Sequence, residues 1–426
     1  MTRPTFIRNV RLIDPAKNKV EDGAILFAEK ILAVGALTSA PDDAEIIDAG
    51  GAHIAPGLID MRVVIGEPGA EHKETFKSAG RAAAAGGVTT LVMMPNTTPV
   101  IDDQSLVDFI LRRGADRSGG VHILPAAALT KHLDGALMTE IGLLAEAGAV
   151  MFCNGDRPIV DSRVLRRALS YATAFGALVA HRPEDPYLAE GGVMHEGELA
   201  ARLGLPGIPA AAESIMAKRD LALAELTGGR LLLDMLSSAQ TLAPLQRAKA
   251  RGVNAVASVS VHHLVLNEND VDGYRTFAKL SPPLRAENDR VALVEAVRAG
   301  LIDVIVSGHD PRPAEDKRLP FEEAAFGAVG LETLLAGALS LAHKGEVPLT
   351  TIIRAMSLRP AEILNLPQGR LAKGAPADII LIDLGAPFQL DSDKLRSKSN
   401  NSPFDGKLLQ GVVVRTFIGG KSVFPV

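Results

Sequence analysis

The side chains best equipped for hydrolytic or metal chemistry are few and stand far apart: Asp156, His181, the pair His262-His263, and His309-Asp310 with Arg312 close behind. Imidazoles and carboxylates of this kind hold zinc, which lowers the pKa of a bound water to about 7, and a positioned carboxylate then shuttles the proton. Asp156, His181, His309 and Asp310 would form such a site only if the fold gathered all four. Taken singly they favour plainer roles. His181 reads as a hydrogen-bonded packing histidine, and His262-His263 as a structural or pocket-lining pair. Cys153, the single cysteine, has no evident base beside it and reads as a small buried side chain rather than a nucleophile. It also excludes an intrachain disulfide, which fits a reducing cytoplasm.

The elements that must position these residues are eight short apolar runs, at 58–65, 88–94, 121–128, 149–153, 177–181, 230–236, 254–260 and 303–309. Strands buried on both faces read as continuous runs of Val, Ile and Leu, and their alternation with helices implies a parallel sheet. Amphipathic stretches lie between them, such as 74–85 before Gly86-Gly87 and 291–299 before Gly300, each stopped as a glycine cap stops a helix. Eight such units predict an α/β fold, a (β/α)8 barrel, whose function belongs at the carboxyl ends of the strands. The gaps at 182–229 and 310–360 are too long for one helix each and predict extra helices or loops. At the barrel mouth Arg62 and Arg312 could bind an anion; a salt bridge to Asp156 or Asp310 is the reading preferred.

Both chain ends have a different texture. Alternating runs at 6–13, 23–28 and 30–34, punctuated by Pro15, Asp22-Gly23 and Pro41-Asp42, return at 377–382 and 411–418, with Gly419-Gly420 turning into 421–424. One small β-sandwich domain, built from 1–55 plus 366–426, would then carry the barrel, 56–365, as an insertion. The polar run 397–402 (SKSNNS) reads as a mobile loop near the last hairpin.

Composition narrows the function. The 426 residues are 47% hydrophobic and 22% charged, the balance of a soluble globular protein. A net charge of −5 without single-sign runs gives no footprint for nucleic acid or anionic membrane. Aromatic residues are only 4%, with no Trp, which disfavours a surface that stacks nucleobases. No signal-peptide core opens the chain and no run approaches the roughly 18 apolar residues of a membrane span, so a cytoplasmic protein is expected.

The motifs then identify a family resemblance. The stretches 56–60 (PGLID), 67–69 (EPG), 73–75 (KET), 81–87 (RAAAAGG), 89–90 (TT) and 94–99 (MPNTTP) resemble the N-terminal signature of the dihydroorotases. The likeness continues in order through 152–158, 181–185, 212–213, 227–230, 262–264, 281–285 (SPPLR), 320–323, 326–327 and 330–333, over essentially the whole chain. It implies an amidohydrolase barrel with a composite β domain, and in the active family a zinc site at the strand ends.

Carried over position by position, that site is largely gone. The His-x-His of strand one falls at Arg62 and Val64, and the arginine that grips the substrate carboxylate falls at Gly66. The ligand aspartate becomes Asn154, the histidine of strand five is kept as His181, and that of strand six falls at Met235. The general-base aspartate falls at Gly308, a substrate-contacting histidine at Arg312, and the asparagine before Pro282-Pro283 at Ser281. Asn96 survives as a remnant of substrate binding. Five of the six metal positions are thus replaced, and no zinc or other cofactor is expected. Metal, base and carboxylate grip are lost independently. The expected protein is a catalytically silent dihydroorotase relative of pyrimidine biosynthesis. By resemblance to degenerate homologues in several bacteria it would partner aspartate transcarbamoylase in a homo- or hetero-oligomer. The alternatives are an active cyclic-amide hydrolase with a displaced metal site, and a metal-free small-anion binder using Asn96, Arg62 and Arg312.

Overall fold

The structure, a computed structural model, describes residues 3–425; residues 1, 2 and 426, at the tips of the two terminal segments, lie outside the described residues. Eight parallel strands in sequential order form the barrel: Leu58–Val63, Val88–Met93, His122–Ala128, Met151–Cys153, Leu178–His181, Arg230–Leu233, Ala255–Ser260 and Val304–Val306. A parallel bridge between Val63 and His309, with the Val64 N–H donating to His309 O at 2.9 Å, joins the last strand to the first. Each expected apolar run contains one strand. The strands are shorter where the chain leaves the ladder for the mouth. Met235 and Gly308, with φ of +54° and +63°, make those departures.

Inward side chains such as Ile59, Val92, Met151, Leu178, Leu232 and Val304 pack together with Ile363 and Leu364 of the helix Arg359–Leu364. Outside the strands run Phe76–Ala85, Gln104–Arg117, Ile141–Glu146, Ser162–Thr173, Ala210–Thr227, Leu242–Ala250, Glu287–Arg298 and Leu334–His343, one after each strand. The first of these begins later than its apolar pattern, because Thr75 caps it by accepting the Ser78 N–H. The helix expected over 291–299 instead starts at Glu287: its polar first turn places Glu287 and Asp289 against the positive end of the helix dipole. The two long gaps hold the expected extra helices, among them Pro186–Ala189, Glu198–Leu203, Ala314–Lys317 and Leu349–Ile353.

The chain ends share one sheet. Its order runs Lys421–Phe424, Leu408–Ile418, Ile379–Gln389, His53–Pro56, Thr5–Asp14, Lys19–Phe27, Ile31–Gly35, with Glu45–Asp48 also pairing Thr5–Asp14. His53–Pro56 is the seam, parallel to Arg11-Leu12 and antiparallel to the C-terminal strand at 379–382. Phe27 and Phe417 stand four ladder steps apart, roughly 19 Å on a flat sheet. Their rings nevertheless lie 5.2 Å apart, so the sheet curls until its two halves face each other, as the sandwich expectation requires.

The expectation of a mobile loop at 397–402 is corrected. Ser399, Asn401 and Ser402 are buried. Ser397 Oγ and the Lys398 N–H donate to the Glu74 carboxylate, and Asn401 Nδ2 donates to Gly327 O at 3.0 Å and Asp310 O at 3.3 Å. The segment is polar because it satisfies buried carbonyls and a carboxylate. It forms a strap from the β domain across the barrel mouth. Among the described residues no helix is long and apolar enough to cross a membrane.

Candidate functional site

At the mouth the first strand delivers Arg62, 4% exposed, into the barrel. One arm of its guanidinium pairs with Asp234 and the other with Asp156. Asp156 is shared with Arg182 Nη1 at 2.9 Å, and Arg182 Nη2 reaches Glu184 at 3.0 Å and Ser281 Oγ. Asp234 is held from behind by Ser258 Oγ at 2.9 Å. Burial alone would lower the Arg62 pKa; Asp234 and Asp156 outweigh it and raise it. Burial likewise raises Asp156, but Arg62 and Arg182 hold its carboxyl below the ordinary range. Arg312 pairs with Asp310 at 2.7 Å. Of the two uses open to the mouth arginines, salt bridging is the one observed, with Asp234 as a partner the pattern reading missed. Its signal was a carboxylate inside the run 231–236, whose other residues are apolar.

The six family metal positions can be tested against zinc by the donors they offer. Arg62 and Val64 offer none. Asn154 is turned onto Thr130, accepting its N–H at 3.1 Å and donating to its hydroxyl at 2.9 Å. His181 spends both ring nitrogens: Nε2 accepts the Ile159 N–H at 2.8 Å, and Nδ1 faces Asp220 at 2.6 Å. Met235 and Gly308 complete the ring. This set does not fit a zinc ion. Asp156, His309 and Asp310 do line one cavity at the mouth, without His181, but each is engaged: Asp156 with Arg62 and Arg182, Asp310 with Arg312, and His309 with Glu74 at 3.3 Å. Among the described residues no group of three or more His, Cys, Asp or Glu could hold a metal ion.

What remains of the cavity is small. Lined by Arg62, Val64, Met235, His262, His263 and Gly308 among others, it has a volume of about 20 Å³. That is room for one water, against the roughly 300 Å³ or more of a ligand pocket. The family's carboxylate grip has no space either: a Cβ on Gly66 would lie 2.0 Å from Ala70 O. Asn96 lies beside Gly155 at the edge of the mouth, its Oδ1 buried without a partner. Burial pushes the Cys153 thiol up to about 12, which leaves it inert as a nucleophile.

Burial lowers His262 to about 3 and His263 to about 4, so both are neutral in the folded protein. Unfolding restores an ordinary histidine, which takes up a proton below about pH 6.5. Their contribution is therefore complete above pH 6.5 and is lost as pH falls towards 4, by up to about 1.4 kcal/mol per unit for each. Asp60, raised to about 6 by burial, and Glu213 and Asp310, raised by the same cause, act in the opposite sense as pH falls. In unfolding titrations from pH 6.5 to 4, His263→Gln should remove about one proton from the histidine contribution, so its stability relative to the parent should rise as pH falls.

Sequence and fold comparisons now place the molecule. Residues 220–423 match the amidohydrolase family, and the fold follows that of an L-hydantoinase (dihydropyrimidinase) from Arthrobacter aurescens. That match has a TM-score of 0.89 and 25% identity, over 99% of this chain and 96% of the other. A dihydropyrimidinase from Brevibacillus agri shares the fold with a TM-score of 0.84 at 22% identity, over 98% and 94% of the two chains. The class is the amidohydrolase-type barrel. Residues 51–241 match the family described as dihydro-orotase-like. Proteins named dihydroorotase from Syntrophus aciditrophicus and Geobacter metallireducens are each 40% identical, over 98% of this chain and 99% of their own length. The chain belongs to the dihydroorotase family.

Proposed function

We propose that the chain is a non-catalytic dihydroorotase homologue that serves pyrimidine biosynthesis in the cytoplasm as a structural partner of aspartate transcarbamoylase. The observation that carries the first half is the Arg62 guanidinium, standing at a family imidazole position and paired with Asp156 and Asp234. A fixed cation there repels a metal dication, and the cavity beside it is too small for a cyclic amide.

Elemental analysis of the purified chain should find well under one zinc per chain. Dihydroorotate and carbamoyl aspartate should both stay unconverted, with or without added zinc. Gly308→Asp should not restore turnover. It returns one carboxylate at φ +63°, with its Cβ 3.0 Å from Ser260 Oγ, and supplies neither metal nor substrate grip. The full-length likeness to proteins named dihydroorotase favours a second reading, an active cyclic-amide hydrolase with a displaced metal site. Stoichiometric metal together with turnover lost on mutating His181 would establish that reading and overturn the first.

A further inference from the structure

Ligand-sized space occurs away from the barrel mouth. A cavity of about 350 Å³ opens between the barrel helices Phe76–Ala85 and Leu334–His343 and the long hairpin of Ile379–Gln389 and Leu408–Ile418. That volume falls in the range of small-molecule sites, whereas the mouth holds about 20 Å³. Its apolar walls are Leu335 and Ala336 on the barrel side and Phe388 and Val413 on the hairpin side, with the Lys394–Asp391 ion pair, 2.9 Å apart, also lining it. Arg396 stands at its edge. The guanidinium carbon lies 4.9 Å from the centre of the Phe424 ring, which holds the fork flat.

Only one arm of that fork is engaged by a side chain, Nη1 with Glu332 Oε2 at 3.1 Å; no second acceptor for it occurs among the described residues. Glu332 is already covered, since the backbone N–H groups of Arg396 and Ser397 also donate to it at 2.5 and 3.3 Å. The donors left open belong to the cation. A planar fork with free donors above an apolar cleft recognises an anionic head on an apolar body. We infer that this inter-domain cavity binds a small amphipathic organic anion, with its carboxylate or sulfonate on Arg396 and its apolar body between Leu335 and Phe388.

The test is titration of the full chain with 8-anilinonaphthalene-1-sulfonate, an aromatic anion that fluoresces when desolvated. One saturable site per chain is expected. Arg396→Gln should weaken it at least fivefold, and Ala336→Trp, which fills the cleft, should abolish it. Val412→Trp, on the half-exposed rim, replaces Ala336→Trp should that variant fail to fold. Arg312→Gln at the barrel mouth should leave binding unchanged. Absence of saturable binding, or binding indifferent to filling the cleft, would overturn the site. Binding blocked by the tryptophan but unaffected by Arg396→Gln would overturn the anion assignment.

Discussion

Replacing Arg62 with methionine is expected to lower the unfolding free energy by about 3–5 kcal/mol, the usual cost of removing one partner from a buried ion pair. The loss falls mainly on Asp234, because Asp156 keeps Arg182 and is partly open to solvent. Asp234 is 4% exposed and would retain only the Ser258 hydroxyl named above as a side-chain partner, leaving a charge in an apolar barrel. Adding Asp234→Asn to Arg62→Met removes that stranded charge and should recover more than half of the loss. The double-mutant cycle then isolates the coupling between them. Urea unfolding of the four proteins measures it. An Arg62→Met variant within about 1 kcal/mol of the parent would show that the guanidinium is not the cation that holds the mouth together.

Much of this was legible in the sequence, because the barrel's physical signal is local. A strand buried on both faces leaves a continuous apolar run, and eight runs separated by helix-length stretches leave little choice of fold. The replaced positions were equally plain, since Arg62, Asn154, Met235 and Gly308 differ in donor chemistry from what zinc requires. Long-range pairing was not legible. Asp234 is 172 residues from Arg62, so its role emerges only when the first and sixth strands share a mouth. The strap at 397–402 failed for the same reason. Its six polar residues carry no periodicity, yet Ser397 and Lys398 reach back more than 320 positions to Glu74. Polarity that resembled solvation was there to satisfy a buried carboxylate.

The largest expected effect at the level of assembly concerns aspartate transcarbamoylase. The replacements gather at the mouth, while the eight barrel strands and the shared β sheet are complete, and Arg62, Arg182 and Arg312 each have a carboxylate partner. An unused gene would collect prolines, stray charges and cavities throughout its core, since most substitutions destabilise. On the proposed reading, a sound body around a silenced mouth is what selection for a scaffold would leave behind. Such a scaffold would meet its partner on outer helices or on the β domain, surfaces free of the strap and of the Arg62 cluster. Exposed apolar side chains do lie there, including Ile215 and Leu226 on the helix Ala210–Thr227 and Leu408 on the C-terminal hairpin. Co-expression of the two native genes should therefore yield one large symmetric complex by size-exclusion chromatography with light scattering. Transcarbamoylase activity should fall when this chain is omitted. An Arg62→Met,Asp234→Asn variant, which keeps the outer surface, should still assemble, while Ile215→Asp with Leu408→Asp tests the two candidate faces together. Separate elution of the native pair at micromolar concentration, with transcarbamoylase activity indifferent to this chain, would remove the scaffold proposal.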